Sequence, residues 1–409
     1  MKYSSFYRRS YQSLLILLGL VCCVPASLAQ APQVSSPQKQ QRPRRVGDTN
    51  GNTNGSANDQ KQSDEVDEND VVRVDTQLVA VPTFVTNTLG RPVSSLTKQN
   101  FLVFEDGQKQ TISNFGTTDV PFEIALLLDT SGSTRADVNL IRQAANAFIN
   151  ALRPGDRVAI IAFKNQRTDT ATVANVDVLT TLTDDRKVLA ASIENLGSSS
   201  GTPYYDALAK IADQIFREPP RAELRGRRAV VALTDGVDST SDSVYEEARE
   251  KLLRAGVACY FIQVNTEDFV EDRLLRDCRD DGRLTLSARQ LQRYRRIFNP
   301  QARSDDYDNF CQMGQFEKMQ ISRDLYSLAR KEMNDLARLS GARNFEAADL
   351  QQARAAFARV AADIGTQYSL GYYPTNKARD GKYRKIRVEV VGVKDKNEVH
   401  AREGYYAPR

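Results

Sequence analysis

Between residues 121 and 364 the sequence alternates apolar runs of strand length with segments whose apolar residues recur at helical spacing. Runs such as Ile124-Ala125-Leu126-Leu127-Leu128 and Ala229-Val230-Val231-Ala232-Leu233-Thr234 have no polar face, so both sides of the sheet they form must be covered. The pattern predicts strands over 123–129, 157–163, 228–234, 257–264 and 342–346, with a shorter one near 173–180. Helices are expected over 135–152, 184–196, 203–217, 241–255, 320–340 and 349–363. This order predicts an α/β fold with a doubly wound, mostly parallel, Rossmann-like sheet. Residues 266–319 do not fit the repeat and are expected to be an irregular insertion.

The flanks have a different pattern. Residues 71–116 and 366–409 read as short strands separated by turn chemistry such as Asp106-Gly107 and Lys394-Asp395-Lys396-Asn397. Neither flank can bury a core alone, so the two are expected to pair into one β-sandwich with the α/β domain (121–364) inserted between them. The Tyr-rich C-terminal flank is expected to use its rings for cross-strand packing. Residues 30–70 are rich in Gln, Asn, Ser, Pro and Gly and carry too few large apolar residues to offset the entropy of ordering, which predicts a disordered linker.

The chemistry lies at the predicted strand ends. The first apolar run leads into Asp129-Thr130-Ser131-Gly132-Ser133, a carboxylate and two hydroxyls where a buried strand exits. Thr202 stands in Ser200-Gly201-Thr202-Pro203 just ahead of a predicted helix, and Asp235 closes the run at Thr234. Open α/β sheets bind ligands at such carboxyl ends, and hard oxygen donors suit a divalent cation. Ser131, Ser133 and Thr202 are neutral, so Asp129 and Asp235 bring the only formal charges. Mg²⁺ is the expected ion, with Mn²⁺ or Ca²⁺ as alternatives.

These residues resemble the metal-ion-dependent adhesion site of von Willebrand factor A domains, which uses D-x-S-x-S, a Thr from a second loop and an Asp from a third. The positions that match are Asp129, Ser131, Ser133, Thr202 and Asp235. The flanks are similar to those of acidobacterial-type secreted von Willebrand factor A-related proteins, through Asp106-Gly107-Gln108-Lys109-Gln110 and Leu370-Gly371-Tyr372-Tyr373-Pro374. The resemblance implies divalent-cation-dependent protein binding or adhesion, with an Asp or Glu carboxylate from a protein partner completing the coordination. The alternative reading is a structural or assembly subunit of an envelope complex whose metal locks a permanent interface.

Other classes find little support. The single histidine, His400, falls in a predicted C-terminal strand and is expected at the surface, so no Ser-His-Asp, Cys-His or HExxH set exists. An enzyme is therefore not expected; a metal-assisted hydrolase built on Asp129, Asp235 and Asp238 is the weakest of the alternatives. A formal net charge of +4 does not argue for nucleic acid, and the Arg cluster between Arg273 and Arg303 is interleaved with Asp, as on a solvated surface.

Residues 1–29 have the three parts of a secretory signal: Lys2, Arg8 and Arg9, the apolar run Leu14 to Val24, and Ser27-Leu28-Ala29. Cleavage is expected after Ala29, giving a secreted or periplasmic chain without a transmembrane segment, since the apolar run is short for a bilayer. Val21 before Cys22 fits a lipoprotein site poorly. Three cysteines then remain, of which Cys259 is expected to be a buried thiol in a strand. Cys278 and Cys311 bracket the Arg-rich insertion, and a disulfide there would contribute about 3–4 kcal/mol.

Overall fold

The computed structural model describes residues 78–117, 120–132, 138–167, 172–218, 227–268, 270, 286–393 and 396–409. The expected signal segment and linker, Ser133 and Cys278 lie outside the described residues. The described residues belong to one compact unit, Val72–Arg409.

Four strands come first: β1 (Val79–Asn87), β2 (Phe101–Glu105), β3 (Gln108–Gln110) and β4 (Ile112–Gly116). The α/β region then runs β5 (Glu123–Leu128), α1 (Val138–Ala151), β6 (Arg157–Arg167), β7 (Thr172–Thr183), α2 (Arg186–Glu194), α3 (Tyr204–Lys210), β8 (Arg228–Thr234), α4 (Tyr245–Arg254) and β9 (Ala258–Val264). It ends with α5 (Ala288–Phe298), α6 (Gln315–Ser340), β10 (Asn344–Ala347) and α7 (Leu350–Gly365). The last strands are β11 (Tyr368–Tyr372), β12 (Tyr383–Val390), β13 (Asn397–Ala401) and β14 (Gly404–Tyr406).

The central sheet has the order β10-β9-β8-β5-β6-β7. Its pairs are parallel except β6 with β7, which is antiparallel. β5, β8 and β9 are buried along their whole length, as their unbroken apolar runs require. One face is covered by α1 and α7, where Phe148 meets Phe357 at 5.1 Å between ring centroids. The other face is covered by α3, α4 and α6, through residues such as Leu208, Leu252 and Met333.

The two flanks build two four-stranded sheets, β13-β1-β11-β4 and β14-β12-β2-β3, and each sheet takes strands from both ends of the chain. Val81, Val103, Leu370 and Tyr372 of both sheets share one apolar core, so neither flank closes without the other. Glu105 on β2 is buried there and accepts hydrogen bonds from Tyr372 Oη at 2.6 Å and Tyr405 Oη at 3.0 Å, which ties the sheets together. Among the described residues no helix is long and apolar enough to cross a membrane.

Several expectations change. The predicted C-terminal strand that holds His400 ends at Ala401, and after Arg402-Glu403 the chain enters β14, so that β13 and β14 lie in different sheets. The break is anchored where Glu403 N donates to Leu339 O, turning the backbone out of β13. His400 is half-buried rather than at the surface: it stacks on Phe84 with centroids 5.5 Å apart, and burial lowers its pKa. The helix expected from 203 passes into a π-helical turn at Ile211–Ile215.

The described part of the 266–319 insertion is not irregular, because it contains α5 and the first turns of α6, with two short 3₁₀ turns between them. Ser287 caps α5 by accepting from Gln290 N. The buried face of α5 is Gln290, Leu291, Arg293 and Tyr294, so its pattern is not an apolar one. Arg293 is 5% exposed, which takes it out of the solvated cluster, and it forms an ion pair with Glu332 of α6. Tyr205 Oη donates to the other Glu332 oxygen at 2.7 Å, and Tyr245 Oη donates to the Glu332 carbonyl at 2.9 Å. The network fastens the insertion to α3, α4 and α6.

Breaking a buried pair by removing one partner is costly, since the other charge stays desolvated. Glu332→Ala is therefore expected to lower stability by about 3–5 kcal/mol in urea unfolding. A loss below about 1 kcal/mol would show that Arg293 reaches solvent and that the clamp is not buried.

Candidate metal centre

β5 and β8 are parallel neighbours with Leu128 opposite Leu233, so their next residues, Asp129 and then Thr234-Asp235, emerge side by side. Asp129 N still donates to Leu233 O at 3.0 Å, which holds the carboxylate at the sheet edge. Asp129 Oδ1 accepts from Ser131 N at 2.9 Å, an Asx-type turn that presents Ser131 to the same place. Asp129 Oδ2 accepts from Thr234 Oγ1 at 2.6 Å, and the same hydroxyl accepts from Gly236 N at 2.9 Å. Thr234 thus binds the first loop to the third.

Asp235 is held on both oxygens. Oδ1 accepts from Val237 N at 3.0 Å, and Oδ2 accepts from Thr266 Oγ1 at 2.7 Å and Tyr326 Oη at 3.4 Å. Gly236 has φ +79°, a conformation that favours glycine, and the end of the Met333 side chain of α6 packs close against it. The second loop is fixed to both others: Ser199 N donates to Thr130 O at 3.0 Å, Thr202 N to Ser239 Oγ at 2.9 Å, and Ser239 N to Thr202 O at 3.0 Å. Asn165 at the end of β6 accepts from Ser200 N at 2.8 Å.

Asp129, Ser131, Thr202 and Asp235 are all buried within these three joined loops; Ser133 lies outside the described residues. Burial and the nearby Asp235 charge push the Asp129 carboxyl up to about 6. Two buried carboxylates at one sheet edge repel each other, and a divalent cation between hard oxygens would remove that repulsion. The donors fit such an ion: two carboxylates and hydroxyls, with no imidazole or thiolate. Among the described residues no group of three His, Cys, Asp or Glu could hold a metal, so the hydroxyls must contribute to any site. Asp129, Asp235, Ser131 and Thr202 would hold the ion, and it would supply an electrophilic centre for an incoming anion.

Asp238 has another task. It accepts from Tyr205 N at 3.0 Å, from Ser241 N at 3.1 Å and from the Ser241 hydroxyl, so it caps the start of α3. Burial pushes its carboxyl up to about 7. Of the cysteines in described positions, Cys259 is a free thiol buried in β9 and Cys311 is not free.

Residues 124–237 match the family model for the von Willebrand factor type A domain. The chain carries that domain. Comparison with curated proteins gives no match. Among solved structures, von Willebrand factor type A from Catenulispora acidiphila is 11% identical, with 82% of this chain and 75% of that chain covered and a TM-score of 0.38. Proximal thread matrix protein 1 from the mussel byssus is 16% identical in one crystal form, with 37% of this chain and 40% of that chain covered and a TM-score of 0.30. In a second structure of that protein the covered share is 49% of its length, so this chain spans less than half of it in both.

The von Willebrand factor type A domain also depends on residues that the sequence did not single out: Thr234, Ser239, Thr266 and Tyr326. Thr234 could have been found from its place beside Asp235. No local pattern marks Tyr326, which lies far along the chain on α6.

Thr234→Val keeps the volume and removes the hydroxyl shared by Asp129 and Gly236. Leaving buried groups without that partner is expected to cost about 1–3 kcal/mol in chemical unfolding of the metal-free protein. A change within about 0.5 kcal/mol, as for an ordinary surface site, would contradict the assigned bond.

Proposed function

We propose that this protein is an exported binding protein whose von Willebrand factor type A domain takes Mg²⁺, or Mn²⁺ or Ca²⁺, at Asp129, Ser131, Ser133, Thr202 and Asp235. A partner's Asp or Glu side chain completes the coordination. The observation that carries this reading is the buried pair Asp129 and Asp235 at one sheet edge, where burial first and the Asp235 charge second push the Asp129 carboxyl up to about 6. A cation held by only two carboxylates and neutral hydroxyls retains attraction for a further anion, which is why an acidic group on a partner suits it. Export rests on residues 1–29, whose sequence reads as a secretory signal.

A binding role is favoured over hydrolysis because Asp238, the third acid of the hydrolase alternative, is engaged in capping α3. His400 lies on β13 of the sandwich and stacks on Phe84, so it offers the metal site no general base. A structural subunit with a locked interface remains the second reading, and it differs in one respect: binding through an exchangeable cation reverses with EDTA.

Mg²⁺ or Mn²⁺ is expected to stabilise the protein by about 2.7 kcal/mol at a free metal concentration about 100 times Kd. Asp129→Ala is expected to abolish the thermal shift. Equal shifts in the wild type and the variant would remove the assignment.

The disulfide is part of the same proposal. In the exported protein Cys278 is expected to pair with Cys311 while Cys259 stays reduced, since Cys259 is buried in β9 and burial pushes its thiol up to about 12. Non-reducing peptide mapping checks this, and a bridge that includes Cys259 would contradict it.

A further inference from the structure

The insertion leaves the sheet and returns to it at the same carboxylate oxygen. It departs at Thr266, just beyond the end of β9, and α6 brings it back at Tyr326; the hydroxyls of both reach Asp235 Oδ2, at 2.7 Å and 3.4 Å. The two hydroxyls also meet each other at 2.8 Å. Thr266 has one hydroxyl proton and gives it to Asp235, so Tyr326 is the donor in this second contact, and the order from Tyr326 to Thr266 to Asp235 is set by the negative charge at its end. Both residues are buried, where such a chain of bonds is strongest.

The sheet order puts this contact on the far side of Asp235 from Asp129. β8 lies between β5 and β9, so Asp235 at the end of β8 has Asp129 on one side and Thr266 on the other. Asp129 repels the carboxylate, and the two hydroxyls hold it. Val237 N, the donor on Oδ1, belongs to the same turn as Asp235, whereas Thr266 and Tyr326 anchor the carboxylate to other elements.

The insertion is seated on the same loop a second time, through α5. Ser287 N donates to Ser239 O at 3.0 Å, and Gln290 Nε2 donates to Ser241 O at 3.2 Å. Tyr294 Oη of α5 donates to Asp324 at 2.7 Å, two residues before Tyr326 on α6. A shift of α5 or of the first turns of α6 is therefore felt at Asp235.

We propose that Thr266 and Tyr326 are positioning residues that couple the cation site to the insertion: they hold Asp235 where it serves the cation, and the bound cation in return holds α5 and the first turns of α6. This rests on the metal reading above. An outer donor on a ligating carboxylate fixes its orientation, and losing that donor weakens metal binding. The reverse effect follows from linkage, since whatever the insertion contributes to cation affinity the cation returns to the insertion. The loaded state of the site is thus expressed in the insertion as well as at the strand edge.

The test is Mn²⁺ calorimetry and hydrogen exchange on the full chain, in EDTA and at saturating Mn²⁺. Thr266→Val and Tyr326→Phe each keep the packing and remove one hydroxyl, and each is expected to weaken Mn²⁺ binding by about tenfold or more. Thr266→Ser keeps the hydroxyl and is expected to keep the wild-type Kd. In the wild type Mn²⁺ is expected to slow exchange across 287–298 and 315–326 by about fivefold or more, and in Thr266→Val to leave it unchanged. The two hydroxyl-free variants are read separately, so that one which fails to fold leaves the other to decide. A purely structural pair would lower the Tm of the metal-free variants without moving Kd, and that result overturns the proposal. So does Mn²⁺ that leaves exchange in these segments of the wild type unchanged, or a Thr266→Ser variant that binds like Thr266→Val. A wild type that binds no Mn²⁺ overturns the metal reading and this inference with it, whereas a wild type that binds Mn²⁺, with Kd unchanged in the variants, overturns this inference alone.

Discussion

The structure of the α/β domain is organised around one unfavourable contact, the proximity of Asp129 and Asp235 at the ends of adjacent parallel strands. Two carboxylates buried at a sheet edge repel each other and lose solvent, and the fold tolerates them because every side of the pair is supplied with donors. Ser131 N and Thr234 Oγ1 serve Asp129, while Val237 N, Thr266 Oγ1 and Tyr326 Oη serve Asp235. These bonds lower the cost without removing it, since the Asp129 carboxyl still stands at about 6. The residual cost is what a bound cation would relieve, and it links the order of strands to the proposed chemistry.

Helix α6 is the element on which this arrangement leans. Its 26 residues span about 39 Å at 1.5 Å per residue. Along that length Tyr326 reaches Asp235, Met333 packs under Gly236, and Glu332 receives Tyr205 and Arg293. Its far end meets the sandwich, where Arg338 pairs with Glu403 and Leu339 O accepts from Glu403 N. One helix therefore fixes the loop of Asp235, the start of α3 behind the loop of Thr202, the insertion and the corner between β13 and β14. Its C-terminal Gly341 takes φ +80°, the left-handed conformation that ends a helix, and a side chain there would strike the backbone of Ala401 and Arg402.

The parts legible in the sequence were those written in local apolar pattern. β5, β8 and β9 announced themselves as unbroken apolar runs, and the pairing of the flanks followed from the inability of either to bury a core alone. Asp129, Ser131, Thr202 and Asp235 stood out because oxygen donors at strand exits have few structural reasons to be there. The hidden parts depend on contacts between distant residues. α5 was missed because Gln290 and Arg293 share its buried face with Leu291 and Tyr294, and Arg293 finds a buried place only through its ion pair with Glu332. The break at Arg402-Glu403 was missed because its cause, the carbonyl of Leu339, lies on another element.

The central claim is that Asp129 and Asp235 share a divalent cation with the hydroxyls around them, and anomalous diffraction from crystals soaked in Mn²⁺ tests it most directly. The account predicts a single strong peak between Asp129, Ser131, Ser133, Thr202 and Asp235, at about 2.0–2.3 Å from the oxygens that bind it directly, with at least one coordination position taken by water or an acidic side chain of a neighbour. A crystal with Mn²⁺ bound elsewhere and no peak at this strand edge would contradict it.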